Sequence, residues 1–96
     1  MAGPAQRSRS IEIRAPLRSA DLPGLIERTC ELLASGRPEQ LRCEVAAVDA
    51  DAVALDALAR LALAARRADC SVLLCGASPR LLSLVAFAGL DDVLRS

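Results

Sequence analysis

Residues 41–75 read LRCEVAAVDADAVALDALARLALAARRADCSVLLC, and this stretch decides the fold. It opens on alternation: Leu41, Cys43 and Val45 share one face, and the run to Val48 then becomes continuously apolar. That is a strand passing from a half-exposed to a buried position. Asp49-Ala50-Asp51 is a short acidic turn, and Asp51 is a good N-cap for a helix from Ala52 to about Ala68. The helix is rich in Ala, Leu and Arg, the strongest helix formers. Asp69-Cys70 reads as a turn, and SVLLC (71–75) is a short unbroken apolar run, as in a buried strand. Strand, helix and strand with short loops form the unit of a parallel sheet with a right-handed crossover.

Upstream, SIEIR (10–14) places Ile11 and Ile13 on one face of a half-buried strand, which Pro16 ends. Ser19 or Asp21 can cap the next helix, with Pro23 in its first turn. Leu22, Leu25, Ile26, Cys30 (or Thr29) and Leu33 recur at helical spacing, while Glu27, Arg28 and Glu31 lie off that stripe. The spacing predicts a helix from about 21 to 34, stopped at Ser35-Gly36 with Pro38 just beyond. Downstream, Gly76-Ala77 is a loop. Ser78 caps a helix that Pro79 opens, whose apolar side is Leu81, Leu82, Val85 and Phe87 and which Gly89 ends. Asp92 to Leu94 reads as a final short turn. Residues 1–9 read as a disordered tail and 10–96 as a single domain. The expectation is a small α/β fold: three strands in a short parallel or mixed sheet, with three helices packed mainly on one face. The other face is then left in need of cover.

Composition removes several function classes. The 96 residues carry 12 basic and 12 acidic side chains, and all the basic ones are Arg. His, Lys, Trp, Tyr and Asn are absent, and there is one Phe. Without His the commonest general base and metal ligand are missing. Without Lys there is no Schiff-base chemistry and no phosphate-loop cation. One aromatic gives no stacking platform for single-stranded nucleic acid, and zero net charge argues against a duplex-binding surface. No Ser–His or Cys–His pair can form. The chain is expected not to be an enzyme, and to bind no nucleic acid, metal or cofactor.

Cys30, Cys43, Cys70 and Cys75 show no C-x2-C spacing. In a reducing compartment they read as small buried hydrophobes, with Cys70, in a turn, the thiol expected to be exposed. No run of apolar residues is long enough to span a membrane, and the N-terminal residues lack the apolar core of a secretory signal. A cytoplasmic location without direct membrane insertion is expected.

The central helix supplies the candidate site. Asp56, Arg60 and Arg67 fall at i, i+4 and i+11 on one edge, with Leu63 inside that polar stripe at i+7. Leu55, Leu58, Leu61, Ala62 and Ala65 take the opposite side. The plain reading of the charged residues is a solvated edge, and of Asp51 a helix cap. The functional reading joins Asp51, Val53, Asp56, Arg60, Leu63 and Arg67 into a partner-binding patch. A buried Leu there would contribute about 1.5–3 kcal/mol before the costs of association.

Three stretches give the sequence a family likeness. CEVAAVDAD (43–51) is a strand ending in an Asp turn, and ALDALARLALAARRADC (54–70) is the helix that follows. CGASPRLLSLVAFAGLDDVL (75–94) runs from a strand end through Ser78-Pro79 and an apolar helix to Gly89-Leu90. Together they resemble the STAS family, the sulfate transporter and anti-sigma-factor antagonist domains, over roughly residues 11–94.

That resemblance implies a bacterial regulatory module that binds another protein. In the antagonists the partner is a kinase-like anti-sigma factor, and phosphorylation of a Ser at the start of the central helix switches the contact off. The family's Asp-Ser-Ser-Gly-Leu reads here Asp51-Ala52-Val53-Ala54-Leu55, and no Ser, Thr or Tyr lies between Gly36 and Cys70. A phosphoryl switch needs a hydroxyl, so that part of the pattern is not carried over. The alternative the family offers is a small subunit docked on the ATPase of an ABC lipid transporter. The resemblance also implies a strand before the one at Ile11, and often another after the last helix. The sheet is therefore expected to be trimmed here, or completed by a further copy.

Overall fold

The computed structural model describes residues 8–14 and 17–95. Four strands, β1 (Ser8–Glu12), β2 (Gln40–Glu44), β3 (Ser71–Cys75) and β4 (Leu94–Arg95), alternate with three helices, α1 (Leu22–Gly36), α2 (Ala52–Arg67) and α3 (Pro79–Phe87). The strands form one sheet in the order β1-β2-β3-β4, and every pair is parallel. Of the two sheet types expected, the parallel one holds. With no reversal in strand order, right-handed crossovers put all three helices on one face.

Burial follows this plan. Ile11 and Ile13, then Leu41, Cys43 and Val45, then Val72 and Leu74, and finally Leu94 point under the helices and are buried. Their neighbours Ser10, Glu12, Arg42, Glu44 and Arg95 are exposed on the other face, where Leu73 and Cys75 are half-buried. That face carries mostly polar side chains, so it tolerates water despite the parallel topology. From above, α2 supplies Ala54, Ala57, Leu58, Leu61, Ala62 and Ala65 to the core. Small residues alternate with Leu, which lets the helix lie close on the sheet. Each fully buried Leu contributes about 1.5–3 kcal/mol.

Several boundaries differ from the sequence reading, each for a local reason. β1 begins at Ser8, so Ser8 and Arg9 belong to the sheet; residues 1–7 of the expected tail, and Pro16, lie outside the described residues. β2 ends at Glu44, although the Val45 amide still donates to the Cys75 carbonyl at 2.9 Å. Asp21 does not cap α1: its Oδ2 accepts from the Arg18 amide at 3.0 Å, closing a single 3₁₀ turn over Ser19–Asp21. α1 runs through Gly36, and Arg37 takes the left-handed conformation (φ 42) that ends it. A Cβ on Gly36 would lie 2.9 Å from Nε of Arg9, the far end of a flexible side chain that can move aside.

Two further corrections concern chain placed as turn or core. The final turn holds at Asp92 and Val93, but Leu94, placed in that turn, begins with Arg95 a fourth strand that pairs with Val72 and Leu73. Phe87 does not join the apolar side of α3. It stands two residues beyond the inward Val85, about 200° around the helix, and is 91% exposed.

Candidate functional site

Asp51 and Ser78 start the two helices that leave the carboxyl ends of β2 and β3. Asp51 Oδ1 accepts from the Ala54 amide at 2.8 Å, and Ser78 Oγ from the Leu81 amide at 3.2 Å. Such caps contribute about 1 kcal/mol each. In parallel α/β sheets ligand crevices open where the strand order reverses. The order β1-β2-β3-β4 contains no reversal among the described residues.

The outer edge of α2 divides into two parts. Asp51, which is exposed, and Val53, which is half-buried against the core, stand at its start. Arg60, Leu63 and Arg67 stand further along, where they line a groove of about 680 Å³ between α1 and α2. Val53 and Leu63 are separated by about 15 Å along the helix. Asp56 joins the second group through Arg60, whose Nε donates to Asp56 Oδ1 at 3.0 Å. Both side chains are half exposed, so this pair contributes only a few tenths of a kcal/mol, about 0.2–0.5. Leu63 is 52% exposed at the groove's edge.

The opposite wall of the groove comes from α1, and the sequence reading did not assign it. Ile26, Cys30, Leu33, Ala34 and Arg37 line it. Their spacing of four, three, one and three is a second helical stripe, beside the buried one of Leu22, Leu25, Thr29 and Leu33. That stripe was available in the sequence. What hid it was the open choice between Thr29 and Cys30. Thr29 is the buried one, its Oγ1 donating to the Leu25 carbonyl at 2.8 Å, and Cys30 is the exposed one.

The thiols rank differently from expectation. Cys70 is buried, because the chain folds back after α2 and its amide donates to the Ala65 carbonyl at 2.8 Å. Burial pushes the Cys70 thiol above its ordinary range. Cys43 is fully buried; desolvation first, then the neighbouring Cys75, Cys70 and Glu44, push it up to about 12. Cys30 is the freely exposed thiol among the described residues. Among those residues no cluster of three His, Cys, Asp or Glu suits a metal ion, and no helix is long and apolar enough to cross a membrane.

No family model matches the sequence, and no curated protein does. Solved structures do. The crystal structure of a sulfate transporter family protein from Wolinella succinogenes superposes with a TM-score of 0.66 at 19% identity, over 99% of this chain and 80% of that one. The NMR structure of a protein named TM1081 superposes with a TM-score of 0.71 at 7% identity, over 91% of this chain and 70% of that one. At these identities the likeness is one of fold, and it is carried by the backbone arrangement rather than by shared side chains. Four parallel strands under three helices, with the central helix capped by Asp51, make a small α/β domain of STAS-like fold.

Proposed function

We propose that the chain is a non-catalytic interaction module that binds a regulatory protein through the outer edge of α2, without a serine phosphorylation switch. The observation that carries this reading is Leu63, a large apolar side chain held 52% exposed between Arg60 and Arg67 at the edge of a groove. A lone exposed Leu is ordinary. This one stands beside Ile26 and Ala64 in a groove open along its outer side, which supports reading it as a docking feature. The STAS-like fold supports the reading, because the resembled family works by docking this helix against a partner. The partner class that the resemblance favours is a kinase-like anti-sigma factor. At the start of α2, Asp51-Ala52-Val53-Ala54 offers no hydroxyl to a kinase, so the contact is proposed without a phosphoryl switch at that position.

Affinity capture from the native cell with the wild-type chain and with Leu63→Asp tests this. The expected result is a captured regulatory protein that the variant loses while keeping its helical circular dichroism. Equal capture by both chains overturns the role of Leu63. Recovery of a transporter ATPase in place of a kinase-like factor overturns the regulatory assignment. Turnover of a small metabolite by the pure chain overturns the non-catalytic one.

A further inference from the structure

We infer that the groove between α1 and α2 receives an acidic amphipathic helix of a partner protein; this rests on the reading above and names the chemistry the module recognises. The floor is apolar, built from Ile26 and Leu33 on one side and Leu63 and Ala64 on the other. The groove follows α1 from Ile26 to Arg37. At 1.5 Å per residue that is about 16 Å, the length of three helical turns laid alongside. It is open along its outer side, which suits an elongated segment packed ridge into groove better than an enclosed small molecule.

Charge selects the kind of helix. Arg37, Arg60 and Arg67 rim the groove, and among the described residues Asp69 is the one acidic side chain lining it. Arg60 is already engaged by Asp56 at 3.0 Å. Arg37 and Arg67 are exposed and have no carboxylate partner among the described residues. Two unspent guanidinium groups at one end of an apolar trough match a helix with apolar residues at i, i+3 or i+4 and i+7, flanked by Asp or Glu. A basic helix would meet like charge there.

Cys30 gives the groove its own reporter: it lines the trough and is exposed, while Cys43 and Cys70 are buried. The half-buried Cys75, on the other face of the sheet, is removed by Cys75→Ser in every chain used for the test. The probe is a synthetic helical peptide of about 14 residues with Leu at spacings of three and four and Glu on the flanks, compared with its Lys-for-Glu counterpart. With the Glu peptide at ten times its dissociation constant, alkylation of Cys30 is expected to slow about tenfold. The Lys peptide is expected to leave it unchanged, and the variant Arg37→Asp/Arg67→Glu to reverse the preference. Equal protection by both peptides, or by neither, overturns the inference. So does protection by anionic phosphatidylglycerol vesicles or by a long-chain fatty acid where the Glu peptide gives none. A partner whose capture needs Leu63 but survives Arg37→Asp/Arg67→Glu overturns the acidic-helix inference and leaves the interaction reading standing.

Discussion

A Cβ placed on Gly76 would lie 3.0 Å from the Cβ of Ala46 and 3.4 Å from its Cα. The loop leaving β3 therefore rests directly on the loop leaving β2. These two loops deliver the chain to Ser78 and Asp51, the caps of α3 and α2.

Gly76→Ala meets two obstacles at once, the contact with Ala46 and a φ of +75 that side chains rarely adopt. The expected cost is about 1–3 kcal/mol. Ala46→Gly added to the same chain removes the contact but leaves the backbone conformation. The double variant is therefore expected to recover only part of the loss, read from urea midpoints. Full recovery would assign the whole cost to the contact, and an unchanged single variant would show that the loops do not pack closely.

On α3, Leu81 is fully buried and Phe87 is 91% exposed. Leu81→Ala is expected to cost about 2–5 kcal/mol, as a cavity opens against the sheet. Phe87→Ala is expected to change stability by less than about 0.5 kcal/mol. Thermal melts of the two variants reverse the ranking that residue size alone suggests.

Much of this fold was legible because its elements announce themselves locally. The alternation of Leu41 and Cys43, the apolar run of β3, the Asp51 and Ser78 caps, and the Ala–Leu pattern of α2 each read correctly from neighbours a few residues away. The apolar run to Val48, by contrast, did not extend β2, which ends at Glu44 with Ala46 and Ala47 exposed in a turn. β4 was not legible. Its two residues carry no periodicity, and only their pairing with Val72 and Leu73 makes them a strand. Cys70 was misplaced for a related reason: the fold-back onto the Ala65 carbonyl that buries it leaves no mark in composition. The candidate site was half legible. The sequence offered one wall of the groove, in Arg60, Leu63 and Arg67. The other wall depends on how α1 lies beside α2, which is a property of packing. Val53 shows the opposite error, since an apolar residue near the polar edge of α2 turns inward against the core.

Cys43 predicts an alkaline limit to stability. Its folded thiol titrates at about 12, against an ordinary value of 9.0. Below pH 9 the thiol is neutral in both states and the native state is unaffected. Between about 9 and 12 only the unfolded chain loses the proton, so stability falls as pH rises, by up to about 1.4 kcal/mol per pH unit. Cys70, also raised by burial, acts in the same direction. Cys43→Val keeps a small apolar side chain at the site and removes the titrating group. Its urea midpoint is expected to decline less steeply than that of the wild type between pH 8 and about 11. Parallel declines would show that the Cys43 thiol does not govern the alkaline limb.

Asp51 separates a structural role from a recognition role, because the two depend on different properties of one side chain. The cap needs an oxygen acceptor for the Ala54 amide, here at 2.8 Å. A contact with a basic partner group would need the negative charge. Asp51→Asn keeps the acceptor and removes the charge, and is expected to hold stability within about 0.5 kcal/mol. Asp51→Ala removes both and is expected to cost about 1 kcal/mol. Since Asp51 lies far along α2 from the groove lined by Arg60, Leu63 and Arg67, Asp51→Asn is also expected to leave partner capture intact. Loss of capture with unchanged stability in Asp51→Asn would extend the docking surface to the start of the helix, and would move its electrostatic centre away from the arginine rim.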